Sequence, residues 1–298
     1  MSLDLNKKKM IEEADARFQG ELYHTADMIC GDPELKLVRL SGPTCAGKTT
    51  AAKMIVKRMS ENSKNAVFVS IDDFYYDCDH LEKISRDNGL DVIDYDSPAT
   101  IDTEAMAAFL DELFEVGEAV CPHFNFTTGK REVGKRVVIG ENDIIVLEGI
   151  QAVYPQVLEL LGKRRSECIF IEPRDAIVCK DARFEPNEIR LMRRIVRDSN
   201  FRSTSAVETM ELWKGVRANE EKNIFPYVDR CKYRINSTMP YEIGVLRPYL
   251  ERALVAGESD ALYEKYKDEF AAMLEKVSVA EPVPASYIDE DSLYKEFV

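Results

Sequence analysis

The sequence predicts an α/β fold, in which helices cover both faces of a mostly parallel β-sheet. Short runs rich in valine, isoleucine and leucine alternate along the chain with helical patterns, and this alternation is typical of a parallel sheet. Several of the runs are continuously apolar, as strands are when both of their faces are buried. With 298 residues, 45% of them hydrophobic, the chain can bury a sizeable core. We therefore expect a three-layer sandwich.

The predicted strands are the short apolar runs. They span residues 36–40, 66–71, 137–139, 143–147, 168–171 and 233–236. Helices are predicted where apolar residues recur every three or four positions. They span residues 7–30, 48–59, 103–114, 189–198, 205–223, 243–256 and 259–277.

The chain is expected to form one α/β domain with insertions, flanked by two shorter segments. Residues 1–34 form an N-terminal helical segment, residues 35–256 the main domain, and residues 257–298 a C-terminal helix and tail packed on it. The tail itself, residues 281–298, has two prolines and little periodicity. It is therefore either a docked extended segment or disordered.

Charge and cysteine usage limit the partners and the compartment. The formal charge of −14 and the pI near 4.9 argue against nucleic-acid and membrane partners, because the summed field repels polyanions. The seven cysteines are scattered without a C-x-x-C pair, which fits reduced cytosolic thiols. The first residues lack the apolar core of a signal peptide, and no apolar run is long enough to span a bilayer. We expect a cytoplasmic protein.

The stretch "GPTCAGKTT" follows a predicted strand and opens a predicted helix. Its residues Gly42, Gly47, Lys48 and Thr49 satisfy the pattern G-x-x-x-x-G-K-[ST], and this context is the one in which the pattern binds phosphate. The glycines let backbone N–H groups surround phosphate oxygens, Lys48 would reach the β and γ phosphates, and the Thr49 hydroxyl would bind Mg²⁺. The sequence thus predicts a P-loop NTPase. The expected nucleotide-binding residues are Gly42, Thr44, Cys45, Ala46, Gly47, Lys48, Thr49 and Thr50.

A P-loop is shared by kinases, GTPases and motor ATPases, so other motifs must separate these classes. A GTPase carries the motifs D-x-x-G and N-K-x-D, and neither occurs in this sequence. A GTPase is therefore not expected.

Two predicted strands end in carboxylates. Asp72 and Asp73 end the second strand, which places them beside the phosphate loop in an open α/β sheet. A carboxylate there can orient an attacking hydroxyl and accept its proton. The alternative is a helix cap or a solvated turn, which we favour for Asp73. The stretch "DIIVLEGI" resembles a Walker B element and places Glu148 where it would reach Mg²⁺, through water.

An arginine-rich stretch, "IRLMRRIVRDSNFR", predicts a helix with one cationic face. Its arginines recur by threes and fours at Arg190, Arg193, Arg194 and Arg197. In a chain with 54 acidic and 40 basic residues, such a cluster needs an anion. The alternative is a solvated helix balanced by Asp198. With Arg202 just beyond, we favour a helical lid that closes over the triphosphate and stabilises the transition state.

The chain resembles the uridine kinase and phosphoribulokinase family of P-loop kinases over about residues 35–250. The motifs that carry the resemblance are, in order, "GPTCAGKTT", "SIDDFYYD", "DYDSPATID", "FNFTTGKR", "IIVLEGI" and "RRIVRD". Within that family it is most similar to bacterial uridine-kinase-like proteins that often carry a segment related to threonyl-tRNA synthetase. This sequence corresponds to their kinase portion.

The resemblance implies transfer of the γ-phosphate of ATP to the 5′-hydroxyl of a nucleoside, with Mg²⁺ as cofactor. It implies that Asp72 is the base, that Tyr75 helps to place the sugar, and that Asp96 binds ribose hydroxyls. It further implies lid and phosphate roles for Arg194, Arg197 and Arg202. Relatives commonly form homodimers or homotetramers, so the resemblance allows either assembly here, and the sequence itself does not give the oligomeric state.

The sequence departs from the better-known uridine-cytidine kinases at the base-reading positions. The family's tyrosine and histidine correspond to Phe124 and Gly129 here, so two polar groups that discriminate bases are missing. His123 lies next to the first of them, and Ser203 replaces a common glycine after Arg202. Phe124 is retained as a substrate-binding candidate, and the base specificity stays open.

Two alternatives to a nucleoside kinase remain at this point. One is a nucleotide-binding regulator with little turnover. The other is a kinase of the same fold for another small alcohol, such as pantothenate or a sugar phosphate. The enzyme is favoured over the regulator, since a protein that only binds a nucleotide needs neither a base nor a lid. The residues that occur together here are Lys48, Thr49, Asp72, Glu148 and those of the arginine helix.

Overall fold

The structure, a computed structural model, describes residues 2–87, 89, 93–162 and 164–298. The α-helices in this part of the chain are α1 (Ser2–Cys30), α2 (Lys48–Glu61), α3 (Cys78–Asp87), α4 (Thr103–Val116), α5 (Pro155–Leu161), α6 (Pro186–Phe201), α7 (Ala206–Asn223), α8 (Glu242–Ala256) and α9 (Lys267–Val277). The strands are β1 (Leu37–Ser41), β2 (Ala66–Ser70), β3 (Glu118–Val120), β4 (His123–Asn125), β5 (Lys130–Glu132), β6 (Arg136–Val138), β7 (Ile144–Glu148), β8 (Ser166–Glu172), β9 (Ile177–Cys179), β10 (Ala182–Phe184) and β11 (Tyr233–Asn236).

A five-stranded parallel sheet in the order β11–β8–β1–β7–β2 forms the centre of the fold. Strand β1 lies in the middle, where Leu37 pairs with Ile145 of β7 and with Ser166 of β8. Because all five strands run in one direction, their carboxyl ends meet at the same edge of the sheet. The phosphate loop follows β1 at that edge.

Alternate residues of the sheet strands enter two separate apolar layers. Val38 and Leu40 pack with residues of α1, α2, α6 and α8 on one face, whereas Leu37 packs with residues of α4 and α5 on the other. This period of two is what a strand covered on both faces requires. The predicted three-layer α/β sandwich is therefore confirmed.

Two predicted elements differ from the structure. The run at 137–139 forms strand β6, but it pairs antiparallel with β3, outside the central sheet. The helix predicted over 259–277 begins only at Lys267. The Asp260 carboxylate accepts hydrogen bonds from the Leu262 N–H at 2.9 Å and from the Ser205 hydroxyl at 3.1 Å, and these bonds hold a non-helical turn before α9.

The end of the chain packs on the main domain. Leu293, Tyr294 and Phe297 are fully buried in the same apolar layer as α2 and α6, and the Tyr294 hydroxyl donates to the Glu242 carboxylate. Of the two possibilities for the tail, the structure shows the docked one. The division of the chain at residues 34 and 256 stays a prediction. Within the described ranges, no helix has the length and apolar character needed to cross a membrane.

Candidate active site

The phosphate loop connects β1 to the first turn of α2. Gly47 adopts φ 91°, a left-handed conformation that glycine adopts at little cost. A Cβ at Gly42 would overlap the backbone carbonyl oxygen of Ile171 on β8, so only glycine allows this approach of loop and sheet. The Lys48 ammonium donates to the Pro43 carbonyl at 3.1 Å and so lies over the loop. The first-turn N–H groups of α2 have no helical acceptors, which makes this end of the helix an anion site.

A cavity of about 300 Å³ opens at the loop and collects most of the predicted site residues. Those that line it are Thr44, Cys45, Ala46, Gly47, Lys48, Thr49, Asp72, Tyr75, Asp96, Glu148, Arg194, Arg197 and Arg202. Three other candidates lie elsewhere. Gly42 contacts β8, Thr50 faces a neighbouring cavity, and Phe124 is buried beneath the Tyr75 ring, with a centroid distance of 5.5 Å.

Three carboxylates enter the cavity from the ends of β2 and β7 and from the loop before α4. Asp72 lies in a short 3₁₀ turn directly after β2, and burial raises its pKa, against the lowering effect of the nearby Tyr75 hydroxyl and the Lys48 charge. Burial raises the pKa of Asp96 to about 6. Burial also raises the pKa of Glu148 to about 7, with Asp72 and Glu296 adding to the shift and Lys48 opposing it. Ionisation of these groups is therefore costly unless a cation joins them.

Replacing Glu148 by glutamine is expected to stabilise the protein without nucleotide at high pH. Burial raises the folded-state pKa of Glu148 from an ordinary 4.5 to about 7, so the cost of the buried charge appears as the pH rises through that window. We expect the free energy of unfolding to rise by about 1–3 kcal/mol at about pH 8 and to change little at about pH 5. Urea unfolding at both pH values measures the difference.

The matched control is Glu172, the carboxylate that ends β8. It is paired with Arg234 at 2.8 Å, so Glu172→Gln removes a partnered charge and should not stabilise the protein. If Glu148→Gln raises the free energy of unfolding equally at both pH values, the destabilisation in the wild type does not come from the charge of Glu148.

The arginine helix divides into two pairs with different roles, which corrects the prediction of one cationic face. Arg190 and Arg193 are fully buried and form ion pairs with Glu220 at 2.5 Å and with Glu242 at 2.8 Å. These two guanidinium groups are therefore already neutralised within the core. They hold α6 against α7 and α8 and are not part of a mobile cationic face.

The cavity side of α6 presents Arg194 and Arg197, with Arg202 just after the helix. All three lie near the buried Asp198 carboxylate, at 3.2, 3.5 and 3.7 Å. One carboxylate among three guanidinium groups leaves a local excess of positive charge. The buried Arg197 Nε lies 3.5 Å from the Asp198 carboxylate but makes no hydrogen bond within the described residues, so its N–H stays available to a further anion in the cavity.

The turn after this helix contains a serine with a left-handed backbone. Ser203 adopts φ 53°, a conformation that costs a non-glycine residue roughly 1–2 kcal/mol. Glycine would adopt the same conformation at little cost.

An aromatic cluster lines one part of the cavity. Tyr75 stacks on Tyr95, with centroids 5.9 Å apart, and Phe126 lies 6.3 Å from the Tyr75 ring. The Tyr75 hydroxyl donates to the Tyr95 carbonyl at 3.0 Å and accepts from Gln151 Nε2 at 2.5 Å. Phe126 is 60% exposed at the cavity's edge. This side can take the flat apolar face of a substrate.

Gly129 and His123, two positions considered above for base recognition, are not among the residues that line the cavity. A Cβ at Gly129 would overlap Cys78 Sγ, and Gly129 has φ 65°, so the local backbone does not accommodate a larger residue. His123 contacts the Asp73 carboxylate at 3.0 Å, is 59% exposed, and is not among the residues that line the cavity. Asp73 also accepts from the Phe124 N–H at 3.2 Å, which holds β4 in place.

Sequence reasoning missed several residues that line the cavity. They are Tyr95, Phe126, Gly149, Ile150 and Glu296. The first four lie next to predicted motif residues, so proximity in sequence was an available signal. Glu296 carried no such signal, because it is separated from its hydrogen-bond partner Thr50 by 246 residues.

The chemistry of the donor set fits Mg²⁺. The Thr49 hydroxyl and the Glu148 carboxylate line the same cavity, and Mg²⁺ in nucleotide enzymes typically takes only one or two protein oxygens beside phosphates and water. The described residues contain no cluster of three or more acidic, histidine or cysteine side chains that could hold a metal ion without further ligands. Thr49 and Glu148 would hold the ion. Burial is the main reason that the pKa of Glu148 is raised, and a bound cation would lower this pKa because it stabilises the carboxylate.

Several known proteins are similar to this chain in sequence. The sequence profile of the Phosphoribulokinase / Uridine kinase family matches residues 37–242. A uridine kinase of Ureaplasma parvum is 30% identical over 178 residues, which cover 60% of this chain and 76% of that protein. A uridine kinase of Mycoplasma genitalium is 30% identical over 165 residues, which cover 54% of this chain and 66% of that protein.

Two solved structures share the fold at low sequence identity. The YGR205w protein has a TM-score of 0.53 at 16% identity, covering 70% of this chain and 89% of that one. The protein YFH7 of Saccharomyces cerevisiae, a P-loop protein with a circular permutation, has a TM-score of 0.51 at 14% identity, covering 72% of this chain and 98% of that one. With the profile match over residues 37–242 and the phosphate loop in place, the chain belongs to the phosphoribulokinase and uridine kinase family of P-loop kinases.

Proposed function

We propose that this protein is a nucleoside kinase that transfers the γ-phosphate of ATP to the 5′-hydroxyl of a nucleoside, with Mg²⁺. The observation that carries the proposal is that one cavity joins the phosphate loop to the buried Asp72 carboxylate and to Asp96. A phosphate-binding loop alone would serve any nucleotide-binding protein. A buried base and a second carboxylate on the acceptor side are what a hydroxyl acceptor requires.

Each group of residues has one task in the proposed reaction. The loop N–H groups and Lys48 bind the β and γ phosphates, and Asp72 orients the acceptor hydroxyl and accepts its proton. Arg194, Arg197 and Arg202 stabilise the charge that spreads over the transferred group. Mg²⁺, when bound, neutralises phosphate charge.

The acceptor half supports a ribose with an attached base. Asp96 is buried, and burial raises its pKa to about 6, so the carboxylate gains from the hydrogen bonds that two sugar hydroxyls would donate. The exposed face of Phe126 beside Tyr95 and Tyr75 offers a surface for a planar base. Uridine kinases among the relatives make a pyrimidine nucleoside the first acceptor to test.

The proposal places the activity in the cytoplasm. The seven cysteines are scattered along the chain without a C-x-x-C pair, a usage that fits a reducing compartment. The net charge of −14 favours a small-molecule acceptor over nucleic acid.

Mg²⁺-dependent release of ADP from ATP tests the proposal directly. The acceptor panel contains ribonucleosides and deoxyribonucleosides, together with pantothenate and ribulose 5-phosphate as acceptors of other chemistry. We expect one or more ribonucleosides to raise ADP release at least about tenfold above background hydrolysis, and deoxyribonucleosides to do so less, because they lack a hydroxyl for Asp96.

Two results would overturn this function. Turnover with pantothenate or ribulose 5-phosphate alone would assign the site to another small alcohol. Tight ATP binding with no turnover across the panel would favour a regulator. Mass spectrometry of the product identifies the hydroxyl that is phosphorylated.

A further inference from the structure

The last residues of the chain lie against the phosphate loop. We call residues 292–298 the C-terminal segment. The Leu293 side chain packs on Gly47, where an added Cβ would overlap its Cδ1 atom. The Glu296 carboxylate accepts a hydrogen bond from the Thr50 hydroxyl at 3.3 Å, and Glu296 lines the same cavity as Lys48 and Glu148.

The C-terminal segment is held firmly by its other side chains. Leu293, Tyr294 and Phe297 are fully buried, and the Arg193 guanidinium lies 5.5 Å from each of the two rings. The Phe297 carbonyl accepts from the Asn200 amide at 3.0 Å. Withdrawing each of these apolar side chains from the core would cost about 1.5–3 kcal/mol. We therefore expect a nucleotide to bind beside the docked segment without displacing it.

The position of Glu296 is on the donor half of the site. Asp72, Tyr75 and Asp96 mark the acceptor half, and in phosphoryl transfer the attacking and leaving oxygens lie roughly in line. The rest of the donor thus extends away from these residues. On that side Thr49 and Glu296 also line a second cavity, of about 210 Å³, shared with Thr50 and Ser292.

A carboxylate in a phosphate site has a definite electrostatic consequence. It repels a metal-free triphosphate, and the repulsion is strong in a half-buried cavity of low dielectric. The same carboxylate is attracted to the magnesium-bound form, in which the cation lies between phosphate oxygens and protein acids. Glu148 and Glu296 both line the cavity that contains Lys48 and Thr49, so Glu296 adds a second negative charge to that of Glu148.

We propose that the C-terminal segment forms a fixed wall of the donor site and that Glu296 is a donor-site residue that selects the magnesium-bound nucleotide over the free one. This rests on the proposed function, because it assigns a nucleoside triphosphate as donor. Glu296 is a specificity-determining residue in this account, and it takes no part in the proton transfer.

The test compares Glu296→Gln with Glu281→Gln, which removes the same charge from an exposed position of the same tail. Glu281 is paired with Lys7 at 3.3 Å, its side chain is 59% exposed, and it lines neither of the two cavities. Titration calorimetry measures ATP affinity with Mg²⁺ and with EDTA for both variants and the wild type. The expected result is that the ratio of the two affinities falls about tenfold in Glu296→Gln, chiefly because metal-free ATP binds more tightly. Glu281→Gln keeps the wild-type ratio.

The outcomes separate this inference from the proposed kinase. If ATP binds and the two variants share one ratio, the assignment of Glu296 is overturned while the kinase proposal stands. If Glu296→Gln lowers the ratio but the acceptor panel gives no turnover, the donor-site assignment holds and the kinase proposal fails. A wild type that binds ATP in neither condition overturns both. Matching unfolding midpoints of the two variants show that the segment has stayed docked.

Discussion

Turnover is expected to fall by about 10²–10⁴-fold when Asp72 is replaced by asparagine, with ATP affinity unchanged within about threefold. Asparagine keeps the shape of the side chain and one oxygen that can accept a hydrogen bond. It cannot accept a proton, so the acceptor hydroxyl loses its base. Burial raises the pKa of Asp72, despite the nearby Lys48, which makes its carboxylate a better base than an exposed one.

The adjacent carboxylate provides the control for this experiment. Asp73 accepts from the Phe124 N–H at 3.2 Å and contacts His123 at 3.0 Å, and it is not among the residues that line the cavity. Asp73→Asn retains the oxygen that binds Phe124, so turnover should stay within about fivefold of the wild type. Steady-state kinetics and equilibrium ATP binding are measured on both variants.

Two results would remove Asp72 from the role of base. One is a turnover of Asp72→Asn above about a tenth of the wild type, since general-base catalysis contributes more than that. The other is a parallel loss of ATP affinity, which would place Asp72 in the donor site.

The pH dependence of turnover gives a result that would support this role. If the rate of the wild type falls toward acidic pH and that of Asp72→Asn does not, the group whose protonation stops the reaction is Asp72 itself.

The phosphate-binding half of the site could be predicted because its residues sit where parallel strands end. Lys48, Asp72 and Glu148 follow β1, β2 and β7, which are neighbours in the sheet, so a prediction of a parallel sheet already brings these side chains to one edge. Local sequence and one topological rule were sufficient there.

The arginine helix shows what local sequence cannot supply. Helical spacing correctly puts Arg193 and Arg194 on one helix, but their partners decide which of them reaches the cavity. The acid that neutralises Arg193 is Glu242, 49 residues further along. No periodicity in the helix itself indicates that α8 will cover this position. The same reason explains why Glu296 was missed.

Replacing each of two neighbouring arginines by methionine is expected to affect different properties: stability for Arg193 and turnover for Arg194. Arg193→Met leaves the Glu242 carboxylate buried without its cation, which is expected to lower the free energy of unfolding by about 3–5 kcal/mol. Arg194→Met removes one of three guanidinium groups around Asp198. Because Arg197 and Arg202 remain beside the buried Asp198, it is expected to cost clearly less stability than Arg193→Met and to lower turnover by about 10²–10³-fold.

The pair is decisive because the two substitutions are chemically identical and one residue apart. Urea unfolding and steady-state turnover are measured on both variants, and Arg193→Met with Glu242→Gln forms the second control. Neutralising the acid as well should recover more than half of the lost stability, because the unpaired charge is the cause of the loss. If the Arg193→Met variant is stable but has lost turnover, Arg193 acts on the triphosphate as the predicted cationic lid would, and its role is not structural. An Arg194→Met variant that unfolds as easily as Arg193→Met would make Arg194 a structural residue too, and the positive charge of the cavity would then rest on Lys48, Arg197 and Arg202.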